Sequence, residues 1–375
     1  MKKPIVIAAA ILSSSSAQSF AQNSVTLYGV LDDSIQYAHN AGGKSNQIAM
    51  VSGQLSGSRW GLKGVEDLGG GLQAVFRLEN GFDPNTGKLG QGGRMFGRQA
   101  YVGLSKDTFG TVTLGRQYDA LFDLVFPAQG NYFLEYFAAP GDVDIGDGTV
   151  RQNNAIKWAS PDWSGFRVNL TYSLGNVAGA VGSGQSYSGA MSYTTSSWVV
   201  AAGYIHIDNG NPTISTRGAT SSDSIFESPV NSAYSTAKAI DITRVAANYT
   251  VGPVTFGGYY SFSEYLADAA STFSGSERYN NGSIFALWQV SPPFQLELGY
   301  DYMKSAGDSS ATYHTINLAA DCSLSKRTDI YGIASYGHAA GQNGLGPAQA
   351  VISDTTVAPG NASQELLIVG IRHRF

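Results

Sequence analysis

Residues 294–303 read FQLELGYDYM. Phe294, Leu296, Leu298, Tyr300 and Tyr302 fall on one parity, and Gln295, Glu297 and Asp301 on the other. A period of two describes a β-strand with two unlike faces. The same pattern recurs in residues 166–174 (FRVNLTYSL), where Phe166, Val168, Leu170, Tyr172 and Leu174 oppose Arg167, Asn169, Thr171 and Ser173. In residues 243–251 (TRVAANYTV), Val245, Ala247, Tyr249 and Val251 oppose Arg244, Asn248 and Thr250. The last ten residues, LLIVGIRHRF, put Leu367, Val369, Ile371 and Phe375 on one side. They put Leu366, Ile368, Gly370, Arg372 and Arg374 on the other. No helical period interrupts these segments, and no strand is apolar on both faces as the centre of a soluble core would be.

Composition agrees with strands that divide lipid from water. Charged residues make up 14% of the 375, against roughly 25% in soluble domains. There are 46 glycines, 21 tyrosines and 17 phenylalanines. No apolar run is long enough for a membrane helix. A transmembrane barrel needs none, since only alternate residues of each strand meet lipid.

The connections supply the strand count. Short ones, rich in Gly, Pro, Asp and Ser, fall at 67–71, 106–110, 160–165, 194–197, 251–253, 291–293 and 323–329. Such residues make tight turns. Long ones fall at 39–49, 83–96, 119–149, 175–186, 208–241, 265–278, 304–312 and 338–363. Fifteen connections imply sixteen strands, short turns at one end and long loops at the other. The expected fold is an all-β, 16-stranded antiparallel transmembrane β-barrel, closed because lipid tolerates no free sheet edge.

Residues 1–21 read as an export signal: Lys2 and Lys3, the apolar run PIVIAAAIL, then Ser19-Phe20-Ala21 before a mature start at Gln22. Residues 22–375 then form one barrel domain. Removing the two lysines takes the formal charge from −5 to about −7, with no basic tract for nucleic acid. The single cysteine, Cys322, rules out an intrachain disulfide and shares a face with Ile316, Leu318 and Ala320. The five histidines are scattered, no metal spacing stands out, and no cofactor is implied. No GxSxG elbow accompanies the histidines, which speaks against an outer-membrane hydrolase. A secreted β-adhesin would be polar on both strand faces, and these strands are not.

Three local features strain the alternation. Arg98 groups with Val102 and Leu104, and Arg116 with Val112 and Leu114, so a bulge or register change is needed if either faces inward. Asp33 groups with Leu27, Leu31 and Ile35, which suggests a subunit contact or a bulge. Residues 198–207 and 330–338 choose neither face clearly. Tyr37, Trp158, Trp163, Trp198 and Trp288, near strand ends, suit interfacial girdles.

The third long connection has no Lys or Arg between residues 119 and 149. It carries Asp119, Asp123, Glu135, Asp142, Asp144 and Asp147 beside a run of large apolar residues from Leu121 to Phe137. So apolar a loop is expected to fold back on the inner wall. The 208–241 connection is poorer in large apolar residues and is expected to lie outside.

Four stretches resemble the trimeric porins of Gram-negative bacteria, of the betaproteobacterial type. They are residues 24–32 (SVTLYGVLD), 58–82 (SRWGLKGVEDLGGGLQAVFRLENGF), 98–119 (RQAYVGLSKDTFGTVTLGRQYD), and 324–332 (LSKRTDIYG) with the terminal VGIRHRF. The resemblance runs from end to end of the mature chain. It implies an integral outer-membrane homotrimer, in contact with lipid and lipopolysaccharide, passing small hydrophilic solutes and ions. The third loop would narrow the pore. It also implies that Phe375 is read by the outer-membrane assembly machinery. Carried over residue by residue, the basic side of the constriction is Arg59, Arg98, Arg116 and Arg151, with Lys63 and Lys157 extending the row. Asp119, Asp123 and Glu135 of the third loop are expected to face them. The Pro-Glu-Phe type tip of some porins is absent; PAQGNYFLEYF stands there. A substrate-specific channel is the alternative, since so aromatic a loop could form a track for sugars or aromatic acids.

Overall fold

The computed structural model of the chain describes residues 24–130, 138–210, 220–223, 225–354 and 357–375. β1 (Ser24–Ala41) turns at Gly42 and Gly43 into β2 (Lys44–Ser52), and the chain continues through β3 (Arg59–Gly69). β4 (Leu72–Gly81), β5 (Gln99–Lys106), β6 (Gly110–Gln117), β7 (Gln152–Ala159) and β8 (Phe166–Ser173) follow. Next come β9 (Ser186–Thr194), β10 (Trp198–Asp208), β11 (Ala239–Val251), β12 (Val254–Leu266) and β13 (Glu277–Ser291). β14 (Phe294–Ala306), β15 (Ser310–Ser323), β16 (Thr328–Asn343), the short β17 (Gly346–Pro347) and β18 (Ser363–Arg374) complete the chain. Each barrel strand pairs antiparallel with its neighbours in the chain, and β18 returns to β1.

The closed barrel has sixteen strands, because β17 is a local hairpin and β2 and β3 act as one strand. The first half of β1 pairs with β3, from Ser24↔Val65 to Val30↔Arg59. Its second half pairs with β2, from Asp33↔Ser52 onward. Residues 53–58 leave the sheet between them and turn into the barrel. Asp32, fully buried, holds this excursion by accepting from the Leu55 and Ser56 amides at 3.1 and 2.6 Å. The Tyr331 hydroxyl donates to its other oxygen at 2.6 Å.

All seven short connections fall where the turn residues put them. Two long connections do not: the 39–49 segment is a two-residue turn between β1 and β2, and the 304–312 segment is a three-residue turn between β14 and β15. Its strands continue beyond the length that spans a bilayer, 13 and 14 residues where about 9–11 suffice. Asp308 stabilises the turn, accepting from the Ser274 amide and hydroxyl at 2.9 and 3.1 Å. These bonds draw its carboxyl below the ordinary aspartate value.

The alternation resolves where it was ambiguous. On β10, Ile205 and Ile207 point inward and are buried, while Tyr204 faces out. On β16, Tyr331 and Ile333 point inward. Both inner faces are apolar because folded-in loops cover them. Asp33 sits in an unbroken register, Val30↔Arg374 to His39↔Glu365, so no bulge turns it inward; it accepts instead from the Asn85 amide group at 2.9 Å.

Closure ends on one close approach. Gly29 and Phe375 exchange both backbone hydrogen bonds, each at 3.0 Å. A Cβ at Gly29 would collide with the Phe375 ring and lie 2.8 Å from the Arg59 carbonyl oxygen. Gly29→Val is expected to cost about 1–3 kcal/mol, the usual range for overpacking, and to lower the yield of heat-resistant folded barrel on gels. The Asp308 contact has its own test. A lowered folded-state pKa means its contribution is complete above the unfolded value and is lost as pH falls through the folded one. Amide protection at Ser274 and Gly275 should therefore fall on acidification, and Asp308→Asn should flatten that dependence.

Candidate functional site

The third loop enters the barrel through a short helix (Ala120–Leu124) and a following 3₁₀ turn (Phe126–Ala128). Asp119 starts the helix, accepting from the Leu121 and Phe122 amides at 2.7 and 3.2 Å. The helical spacing then separates two faces. Leu121, Leu124, Val125 and Ala128 pack with Ile205, Ile207, Ile240 and Ile242 on the wall of β10 and β11. Tyr118, Phe122 and Phe126, four residues apart, point the other way and stack at centroid distances of 3.6 and 4.9 Å.

Beneath the loop lies Arg244, a fully buried guanidinium that donates to Gln129 Oε1 at 3.0 Å. Gln129 in turn donates to the Gly146 carbonyl. Asp119 and Asp144 flank Arg244; burial raises both carboxyls above the ordinary aspartate value, and the guanidinium opposes that rise. Arg244 was readable as an inward residue of β11, but its partners come from a loop more than a hundred residues earlier.

The 208–241 connection does not lie outside. Its described part folds onto the third loop, burying Ile225, Val230, Tyr234 and Ala237 in the same apolar cluster. Asn231 donates to the carbonyls of Ile225 and Gly141 at 2.7 and 3.4 Å. Few apolar residues were needed, because the third loop supplied the other half of the cluster.

Across the lumen, β3 to β6 carry a basic wall. Glu79 accepts from Arg98 Nε at 2.9 Å and from the Tyr28 hydroxyl at 2.7 Å. Arg77 Nε donates to that hydroxyl, also at 2.7 Å. Arg98 and Arg151 both donate to the Tyr118 hydroxyl, at 2.8 and 2.6 Å, so the wall and the start of the third loop share one oxygen. Arg98 precedes β5 and faces Glu79 together with Gln99, which is the parity break that an inward Arg98 required.

A widening of about 390 Å³ lies between these parts. Arg59, Arg98, Arg151, Arg372 and Arg374 line it, with Asp147, Asp354 and the three stacked rings. Residues 53–57 of the inward excursion form another side.

The sequence-derived residues thus separate into groups. Arg59, Arg98 and Arg151 meet at the widening. Arg116 is turned inward by a bulge at Gly115–Gln117, but it binds Asp223 of the 208–241 connection at 2.6 Å and Asn153 at 2.6 Å. Lys157 pairs with Asp123 at 2.6 Å, so these two charges offset each other at the loop's edge. Lys63 lies nearer the short-turn end, its ammonium 5.5 Å from the Tyr28 ring centre. Asp119 is a correction: it is 2% exposed and occupied in capping the helix, so it faces protein and not water. Glu135 lies outside the described residues. Sequence reasoning missed Arg77 and Glu79, although their parity on β4 opposes that of Phe76 and Leu78. It also missed the placement of Asp147, and of Asp354 from the last long loop, which no local pattern reveals.

The outer surface has two halves. The exposed large apolar residues on β1, β3, β5, β6 and β18 are all aliphatic, among them Leu27, Ile35, Val102, Leu114 and Val369, with Phe109 and Phe375 exposed at the short-turn end. On β8 to β16 they include Tyr193, Trp198 and Trp288 toward the short turns, and Tyr187, Tyr204, Tyr260 and Tyr336 toward the long loops. Two aromatic belts of this kind mark the headgroup levels of a bilayer.

A closed antiparallel barrel with a lipid-facing belt, a charged lumen and an internally folded loop defines a transmembrane channel. The family model for Gram-negative porins matches residues 6–342. Outer membrane porin protein 32 of Delftia acidovorans is 30% identical over the full length of both chains. An outer membrane porin of Bordetella pertussis is 39% identical over 195 residues, about half of each chain. Among solved structures, the anion-selective porin from Comamonas acidovorans superimposes with a TM-score of 0.73 at 24% identity, covering 94% of this chain and 100% of that one. OmpT of Vibrio cholerae, in a trimer form, gives 0.66 at 17% identity, covering 94% and 99%. This chain belongs to the Gram-negative porin family. It is a non-enzymatic diffusion channel integral to the outer membrane.

The Arg116–Asp223 pair predicts a loop phenotype. Asp223→Ala leaves a largely buried guanidinium without its carboxylate, a strongly destabilising change. The 208–241 connection should then be cut several-fold faster in limited proteolysis of the folded protein, while the barrel core stays intact.

Proposed function

We propose that this porin passes small hydrophilic solutes down their gradients through a water-filled lumen narrowed by the third loop, with a preference for anions. The observation that carries the preference is the convergence of five arginines on one widening beside that loop, against Asp147 and Asp354 in its lining and Glu79 and Asp329, which pair with Arg98, Arg372 and Arg374. A cluster of one sign within low-dielectric walls raises the local concentration of counter-ions. The acids of the far wall do not offset it at the water path, because Glu297, Asp301 and Asp144 are at most 1% exposed. Among the described residues, the acidic side of the narrowing is then Asp147 and Asp354, with Asp119 turned into protein and Asp123 paired with Lys157.

The working unit is a homotrimer, like the trimer form of the Vibrio protein. The aliphatic half of the outer wall supports this, since its exposed strand residues lack the aromatic belt toward the long loops that lipid contact favours. Asp33 lies on that half, where a neighbouring subunit spares it from lipid. The aromatic half faces lipid and lipopolysaccharide. Residues 1–21 direct export and are removed, and Phe375 presents the finished strand to the assembly machinery.

Planar-bilayer recording tests the reading. Conductance should be ohmic and should close in threes. In a salt gradient the reversal potential should favour anions, and Arg59→Ala with Arg98→Ala should move it toward cations by several-fold in permeability ratio. A reversal potential indifferent to both arginines would remove the assignment.

A further inference from the structure

Leu121, Leu124, Val125 and Ala128 anchor the loop to the wall, and the buried Tyr118 ties its start to Arg98 and Arg151 through its hydroxyl. Phe122 and Phe126 instead border a water-filled space, where exposed apolar surface is unfavourable. The three rings form a strict ladder: Tyr118 and Phe122 lie 12° from parallel, and Phe122 and Phe126 26°. The Arg151 guanidinium lies over the Tyr118 ring at 4.6 Å and continues the stack. Gly148 passes so close to Phe122 that a Cβ would collide with it, so the backbone covers one flank of that ring and the widening borders the ladder elsewhere. Flat apolar surface therefore adjoins the guanidinium groups of Arg59, Arg98 and Arg151 within one space of about 390 Å³, enough for a single-ring solute.

We propose that this widening is a transient binding site for planar aromatic carboxylates, a solute class that both features recognise. The carboxylate meets the charge of Arg59 and Arg98, since guanidinium and carboxylate are matched in geometry. The ring lies against Phe122 and Phe126, where offset or edge contacts between aromatic rings are favourable. Weak binding of this kind raises the flux of the bound class, because a channel site must attract a solute yet release it. The inference rests on the diffusion-pore reading and adds a solute class to it.

The test is single-channel chloride current through the full protein in planar bilayers, with benzoate, cyclohexanecarboxylate, acetate or benzyl alcohol added. Benzoate should interrupt the current at about five-fold lower concentration than cyclohexanecarboxylate, a ratio in the range of one aromatic contact. Acetate should act only at higher concentration still, and neutral benzyl alcohol should not interrupt it. Phe122→Leu with Phe126→Leu, each block measured relative to the variant's own chloride current, should weaken benzoate block to the level of cyclohexanecarboxylate. Arg59→Ala should weaken block by every carboxylate. The comparison of solutes on the unaltered pore stands even if the leucine variant fails to fold. Equal block by benzoate and cyclohexanecarboxylate would overturn the aromatic site while leaving the pore reading intact. Absence of any chloride conductance would sink the pore reading and the site with it.

Discussion

The structure depends on one requirement: no backbone N–H or C=O in the lipid-facing wall goes unpaired. Lipid offers no replacement partner, and each unpaired group costs several kcal/mol. A sheet meets the requirement only by closing on itself. Closure explains why β18 returns to β1 along a ten-residue register and why Gly29 and Phe375 meet with no room for a side chain. It also explains the division of labour on β1, whose other edge needs β3 along one half and β2 along the rest. The six residues between them are free to leave the sheet, since β1 loses little pairing while they do.

A closed barrel of this size does not fill its own interior, so the inner wall obeys different rules. Where water remains, charges persist: Arg98, Glu79 and Tyr28 form a bonded row on the inner face. Where loops fold in, the wall becomes the floor of an ordinary hydrophobic core. Ile205, Ile207, Ile240 and Ile242 receive the third loop. A second small cluster gathers Leu55, Ile333, Ile352, Leu366 and Ile368. These two floors lie on the strands whose alternation was hardest to read. Apolar residues on both faces blurred the period of two, and the inner ones were answering to a loop instead of lipid.

The charged side chains follow the same division. Arg116, Lys157 and Arg244 all face the interior, yet each is held by a carboxylate or amide brought by another segment. Asp223, Asp123 and Gln129 respectively accept from them. Such pairs fasten loops to the wall and contribute little net field. The arginines gathered around the widening, some of them paired with Glu79 and Asp329, set the field proposed for the water path.

What the sequence determined by itself was the barrel: strand number, the short-turn and long-loop ends, and the lipid or lumen side of most residues. Those properties are local, since lipid on one side and water on the other write a two-residue period into each strand. The same pattern placed Arg59, Lys63 and Lys157 on the inner face. Tertiary structure alone decided which inward charges reach water. Asp119 became a buried cap, Arg116 a loop clasp, and Asp354 a lining residue through contacts between segments far apart in the chain. The 208–241 connection went inward because its few apolar residues completed a cluster whose other members lie on the third loop. The ring ladder needed both levels: helical spacing aligned Tyr118, Phe122 and Phe126, and packing of the opposite face turned them toward the lumen.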